Sequence, residues 1–252
     1  TELPTFGFAS SPLLDGDSLY VQAGCAVTKL DANSGETVWR ALENRQAMFG
    51  SAFSSPVIAT LHGTRQLIAQ TRSSLGGIDL ETGEVLWSTP VKAFRGMNIL
   101  TPEVIGNRVF TATYGGGSTM FDVEKEGDGF RVSSRWNDEK LEGYMASPIV
   151  IDDHIYLLGR DQHFHCIRAD DGTVMWRSDE KFGQYWSMVA NGTQLLALDQ
   201  KGELLLMEAS PKAFEMVSRK KLSKQATWAH VGVSDDLILI RPLNGMAVYR
   251  WE

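Results

Sequence analysis

Cysteine is almost missing from the 252 residues. Cys25 and Cys166 stand far apart, match no Cys-x-x-Cys spacing for a metal or redox pair, and are too few for a disulfide framework. Apolar stretches are short. None approaches the run of about 18 that a membrane span needs, so no transmembrane segment is expected, and Thr1 opens no charged-then-apolar export signal. A mature protein would have lost such a signal, so the compartment stays open at this point. Cations are the minority, 24 Lys plus Arg against 31 Asp plus Glu for a net charge of −7. That balance argues against a nucleic-acid partner, because such affinity rests on clustered positive charge. The one basic run, RKKLSK at 219–224, reads as a solvated strand edge where Lys discourages edge pairing. A GxSxG elbow, an HExxH helix and a phosphate-cradling loop are also lacking. The triple glycine of TYGGGST is a turn between strands with no helix after it. What is present, 43% hydrophobic and 22% charged residues, supports a folded globular chain with a sizeable core.

Repetition organises that content. LDANSGETVWR at 30–40 returns as IDLETGEVLWS at 78–88 and IRADDGTVMWR at 167–177, and Gly35 to Trp39, Gly83 to Trp87 and Gly172 to Trp176 keep one spacing. A hairpin explains the fixed gap. Glycine supplies a positive φ, Asp and Asn bond the nearby backbone, and the following residues alternate as a strand does. A second hairpin phrase precedes it: SSPLLDGDSLYV, SSPVIATLHGTRQLIA, LTPEVIGNRVFTA and ASPIVIDDHIYLL, with prolines at 12, 56, 102 and 148. Weaker copies start at Trp186 and Trp228.

Units of about 40–50 residues holding four short strands are the signature of a propeller blade. The expected fold is therefore all-β, a β-propeller of four-stranded antiparallel blades forming one domain over 1–252. Its six units run about 8–45, 53–92, 100–138, 145–183, 185–223 and 227–252. KEGDGF enlarges the outer hairpin of the third. In the fifth, EASPKAFEMVSRKKL is helix-like by propensity but alternates at Phe214, Met216 and Ser218, and reads as a strand. The last unit stops after three strands. Either Thr1–Phe8 closes a six-bladed ring, or the chain begins upstream and these blades belong to a seven- or eight-bladed one. The run ELPTFGFASSP, which reads like the tail of an earlier outer strand, favours the second.

The repeated D-x-x-x-G-E-x-x-W phrase resembles the repeat of quinoprotein-like (PQQ-like) β-propellers, and the pattern covers essentially the whole chain. That family includes quinone-dependent alcohol dehydrogenases and, of the non-enzymatic kind, the propeller lipoprotein of the outer-membrane β-barrel assembly machinery. The resemblance implies a bacterial envelope location, periplasmic or extracellular. It also frames two alternatives to a binding scaffold: a quinone-dependent dehydrogenase, and a sensory or accessory domain of a larger protein. For the dehydrogenase it implies a Ca²⁺ ion and commonly a disulfide of adjacent cysteines, which this sequence lacks. Fold does not carry function, so the sites need their own argument.

Catalytic, cofactor and metal residues are expected to be absent. Paired acids such as Asp152-Asp153 and Asp235-Asp236 fall in turns, where Asp is an ordinary turn former. Among the innermost segments only Glu103 is acidic. In DQHFHCIR, alternation puts His163 and His165 on one face and Cys166 on the other, with His154 across the hairpin, which suits surface and interblade packing better than zinc. What remains is an interaction face. The segments leading into the innermost strands carry Phe49, Phe94 with Arg95, Tyr144, Tyr185 with Trp186, and Trp228, and aromatic and Arg side chains are the usual interface anchors. The expected partner is a protein or peptide.

Overall fold

The computed structural model describes residues 7–23, 25–43 and 53–251. Phe49, and most of the Thr1–Phe8 segment considered for closing the ring, lie outside them. Two compact units divide the chain, Thr1–Glu142 and Gly143–Glu252.

Three antiparallel four-stranded meanders build the first unit. The first sheet is β1 (Leu13–Asp15), β2 (Ser18–Ala23), β3 (Ala26–Asp31) and β4 (Thr37–Ala41). The second is β5 (Val57–Leu61), β6 (Thr64–Gln70), β7 (Ser74–Asp79) and β8 (Val85–Pro90). The third is β9 (Glu103–Ile105), β10 (Arg108–Thr113), β11 (Gly117–Glu126) and β12 (Gly129–Asp138). Enlargement of its outer hairpin is visible in the ten-residue β11 and β12, joined through Gly127 and Asp128.

Period-two alternation explains how these sheets stack, because successive side chains of a strand leave by opposite faces. On β6, Leu67 and Ala69 join Tyr20, Val27 and Trp39 of the first sheet, while Ile68 between them joins Val109 and Phe121 of the third. A single central strand thus serves two cores.

The second unit repeats the scheme. Its sheets are β13 (Ile149–Ile151), β14 (His154–Leu158), β15 (Phe164–Arg168) and β16 (Val174–Arg177), then β17 (Trp186–Asn191), β18 (Gln194–Asp199), β19 (Glu203–Glu208) and β20 (Glu215–Lys221). A three-stranded sheet of β21 (Gly232–Ser234), β22 (Leu237–Ile240) and β23 (Ala247–Arg250) follows. Within EASPKAFEMVSRKKL the stretch Glu215–Lys221 is a strand, β20, paired with β19, while 209–214 form the connection into it. Tertiary pairing overrides helix propensity there. Tyr156, Phe164 and Cys166 of the first of these sheets pack on Trp186, Met188 and Leu205 of the next, and Leu198 and Leu204 pack on Ile238 and Ile240 of the last.

The repeated phrase is the turn from third to fourth strand. Asp31 Oδ1 accepts from the backbone N–H groups of Asn33 and Ser34, Gly35 takes φ 74°, and Gly35 N–H returns to the Asp31 carbonyl at 2.8 Å. Asp79 and Gly83 do the same one repeat later. The outer Trp then reaches the next sheet: Trp39 Nε1 donates to the Leu80 carbonyl at 3.1 Å, and Trp176 Nε1 to that of Ser210 at 2.7 Å. Trp87 differs, donating to the buried Gln66 Oε1 of its own sheet at 2.7 Å.

Candidate functional site

In the first unit the connection from β8 to β9 is held as a shelf by bonds along its length. Thr113 Oγ1 donates to the Lys92 carbonyl at 2.7 Å, Phe94 N–H to that of Tyr114 at 2.6 Å, and buried Asn98 Nδ2 to that of Thr71 at 2.9 Å. Gln70 Nε2 donates to the Leu100 carbonyl while its Oε1 accepts from Thr111 Oγ1. The shelf turns in a 3-10 turn, Phe94–Gly96, within which Arg95 adopts the left-handed φ of 52°. Phe94 is thereby left 45% exposed. Its ring lies 4.9 Å from Tyr114, and the Arg95 guanidinium stands 5.2 Å from it. Arg72, from the β6–β7 turn, donates to the Arg95 carbonyl at 2.8 Å and covers the Phe53 ring at 4.9 Å. Burial lowers the Arg72 pKa from its usual value. Phe94 and Arg95, expected from the sequence, thus come together with Phe53, Arg72 and Tyr114. Arg72 and Tyr114 escaped the sequence reading, although the turns that hold them leave the same end of the sheets as the β8–β9 connection.

In the second unit Tyr185 and Trp228 stack, with ring centroids 5.1 Å apart and an interplanar angle of 25°. Trp228 is 53% exposed. Its neighbour Thr227 anchors it, donating through Oγ1 to the Asp199 carbonyl at 2.6 Å. Tyr144 is half-buried, and the next residue, Met145, bridges to Tyr185. Trp186 requires a correction. It is 4% exposed and belongs to the core, its ring 5.4 Å from Phe164 and 4.8 Å from Phe182. The reason is parity: as the first residue of β17 it points opposite to Tyr185 and so enters the core between sheets.

His163 and His165 are buried rather than at the surface. His163 Nδ1 meets the Ser178 carbonyl at 2.7 Å and His165 Nε2 meets Asp161 at 3.1 Å. Desolvation lowers the His165 pKa despite that carboxylate. Cys166 faces the hydrophobic core on the other side of β15, and burial pushes its thiol up to about 11, which leaves it protonated and a poor nucleophile or ligand. His154, across the hairpin, bonds the Asp152 carbonyl instead. On β9, burial pushes the Glu103 carboxyl up to about 7.

Antiparallel four-stranded sheets whose Asp-Gly turns present an outer Trp to the next sheet define a PQQ-like repeat β-propeller. The family model described as outer membrane protein assembly factor BamB matches residues 3–178, and the chain belongs to that family. Among solved structures, BamB from Moraxella catarrhalis is similar with a TM-score of 0.74 at 19% identity, covering 97% of this chain and 73% of that one. The β-propeller domain of Myceliophteria thermophila Cps50 (Swd1) has a TM-score of 0.66 at 10% identity, covering 99% and 84%. Quinohemoprotein alcohol dehydrogenase from Comamonas testosteroni follows with 0.57 at 12% identity, covering 86% of this chain and 43% of the enzyme. At such identities the likeness is one of fold. No curated protein matches the sequence.

Proposed function

We propose that the chain is a noncatalytic β-propeller that binds a protein or peptide partner in outer-membrane protein assembly, on the periplasmic side of the bacterial envelope. The family supports the setting. The observation that carries the binding role is the pair of exposed aromatics on anchored backbone, Phe94 beside Arg95 in one unit and Trp228 on Tyr185 in the other. Large rings held in place lose little freedom on binding, which is what interface anchors require.

Affinity capture from an envelope extract tests this, with the native chain and a Phe94→Ala/Arg95→Ala/Trp228→Ala variant as paired baits. All three residues lie outside the cores, so the variant keeps its melting temperature. A partner held by the native chain and lost at least about ten-fold by the variant is expected, since anchor truncations cost about 2 kcal/mol or more each. Equal capture by both baits would refute the proposal.

A further inference from the structure

The basic run that reads as a solvated strand edge divides in the structure. Arg219 turns to Glu180 and donates to both carboxylate oxygens at 2.7 Å. Lys221 and Lys224 instead line a cavity of about 620 Å³ in the second unit, together with Lys181 and Lys201. None of these four ammonium groups meets a carboxylate among the described residues; Lys221 donates to the Lys201 carbonyl. Of the acids on these segments, Glu180 is taken by Arg219, Glu203 stands opposite Lys221 in the β19–β20 register, and Asp199 is buried and already engaged. Its oxygens accept from the backbone N–H groups of Gly183 and Lys201, both at 2.5 Å, and so fix two parts of the wall.

The wall is preorganised. Gln200 Oε1 accepts from Gln184 N–H at 2.9 Å and Tyr185 N–H at 3.3 Å, and among the described residues its amide N–H₂ has no partner. Gly183 can carry no side chain, because a Cβ there would lie 2.6 Å from that of Gln200. Gln162, also in the lining, holds a left-handed φ of 69°, fixed by its own N–H to the Gly159 carbonyl and by Phe182 N–H to its carbonyl, both at 2.9 Å. Backbone strain held in this way gathers at ligand sites. Gathering four like charges also costs the empty protein self-repulsion, which an anion would relieve.

We infer that this cavity binds a small, multiply charged phosphate ligand, free or as a headgroup. Its volume falls in the range of small-molecule sites. Lysines act as point charges that suit a tetrahedral group bearing charge on several oxygens, whereas planar carboxylates of an acidic peptide are matched by Arg forks. The one Arg of the run is already committed to Glu180.

The test titrates inorganic tripolyphosphate into the full chain by calorimetry, and floats the chain with phosphatidylcholine vesicles with and without phosphatidic acid. Three proteins are compared: native, Lys201→Gln/Lys224→Gln, and Lys125→Gln/Lys140→Gln as a control of equal charge. Native and control are expected to bind within about two-fold of one another, and the cavity variant at least about ten-fold more weakly, with a salt dependence that falls as lysines are removed. Tripolyphosphate binding without vesicle retention assigns a soluble phosphate; retention on phosphatidic acid with weak tripolyphosphate binding assigns a headgroup. Equal binding by all three proteins, or binding of neither probe by the native chain, overturns the inference. The Phe94/Arg95/Trp228 variant should bind tripolyphosphate as the native chain does, so failure here is separate from failure of the partner proposal.

Discussion

Trp39 and Gly83 form the joint between two repeats. A Cβ added to Gly83 would fall 2.7 Å from the Trp39 ring, and the glycine sits at φ 76°, where L side chains are strained. Gly83→Ala should therefore cost about 1–3 kcal/mol through clash and backbone strain together. Trp39→Phe, which keeps a ring but loses the bond to the Leu80 carbonyl, should cost about 0.5–1.5 kcal/mol, the net worth of one hydrogen bond, because that carbonyl keeps its bond from the Lys29 ammonium at 2.8 Å. Urea unfolding measures both, and the smaller ring should relieve part of the Gly83→Ala clash, so the double variant should be less destabilised than the sum. Glu103 makes a different kind of prediction. Its carboxyl is raised from 4.5 to about 7 by burial. The sign follows from proton linkage: an acid that holds its proton more tightly when folded stabilises the fold most at low pH, and that stability is lost as pH rises through about 7. Glu103→Gln should remove this loss. Its advantage over the native chain in urea midpoint should grow between about pH 5 and about pH 8, and a constant difference would refute the assignment.

Among the strands, burial separates two that are neighbours in one sheet. Leu205 on β19 is fully buried, while Val217 on the outer β20 is 56% exposed. Leu205→Ala should cost about 2–5 kcal/mol, and Val217→Lys no more than about 0.5 kcal/mol, by the same urea measurement. This contrast also shows what a sequence discloses. The Asp-Gly turns and the Trp that follows them are local chemistry, so the hairpins, the strand character of β20 and the enlarged β11–β12 hairpin were legible from spacing and alternation. Phe94 and Arg95 were legible as a pair for the same reason, being adjacent on one connection. Trp186 was not, because a displacement of one residue at a strand start decides between solvent and core. Nor was the lysine cavity, whose walls come from the β14–β15 turn, the β16–β17 connection, the β18–β19 turn, and the end of β20 with the run after it. Sequence places those segments far apart, and only the stacking of sheets brings their charges together.

Between a scaffold and a quinone-dependent enzyme the deciding quantity is the supply of charged oxygen ligands. Calcium takes six to eight oxygens, several of them carboxylate. Of the first strands of the six sheets, only β1 and β9 carry a carboxylate, Asp15 and Glu103. Asp15 is engaged by Arg65 in a two-pronged pair at 2.8 and 2.9 Å, and that hydrogen bonding holds its carboxyl below the usual range. Glu103, raised to about 7, is half protonated at neutral pH and so a weak ligand for a hard cation. Titration of the full chain with Ca²⁺ together with the quinone, followed by calorimetry and absorbance, should accordingly give no saturable binding. A tight site whose affinity disappears in Glu103→Gln would reverse the reading, because it would make Glu103 a cation ligand and place the chain with the dehydrogenases whose fold it shares. Without such a site, burial of Glu103 acts on stability alone, and recognition falls to the side chains that the connections between sheets hold outward on anchored backbone.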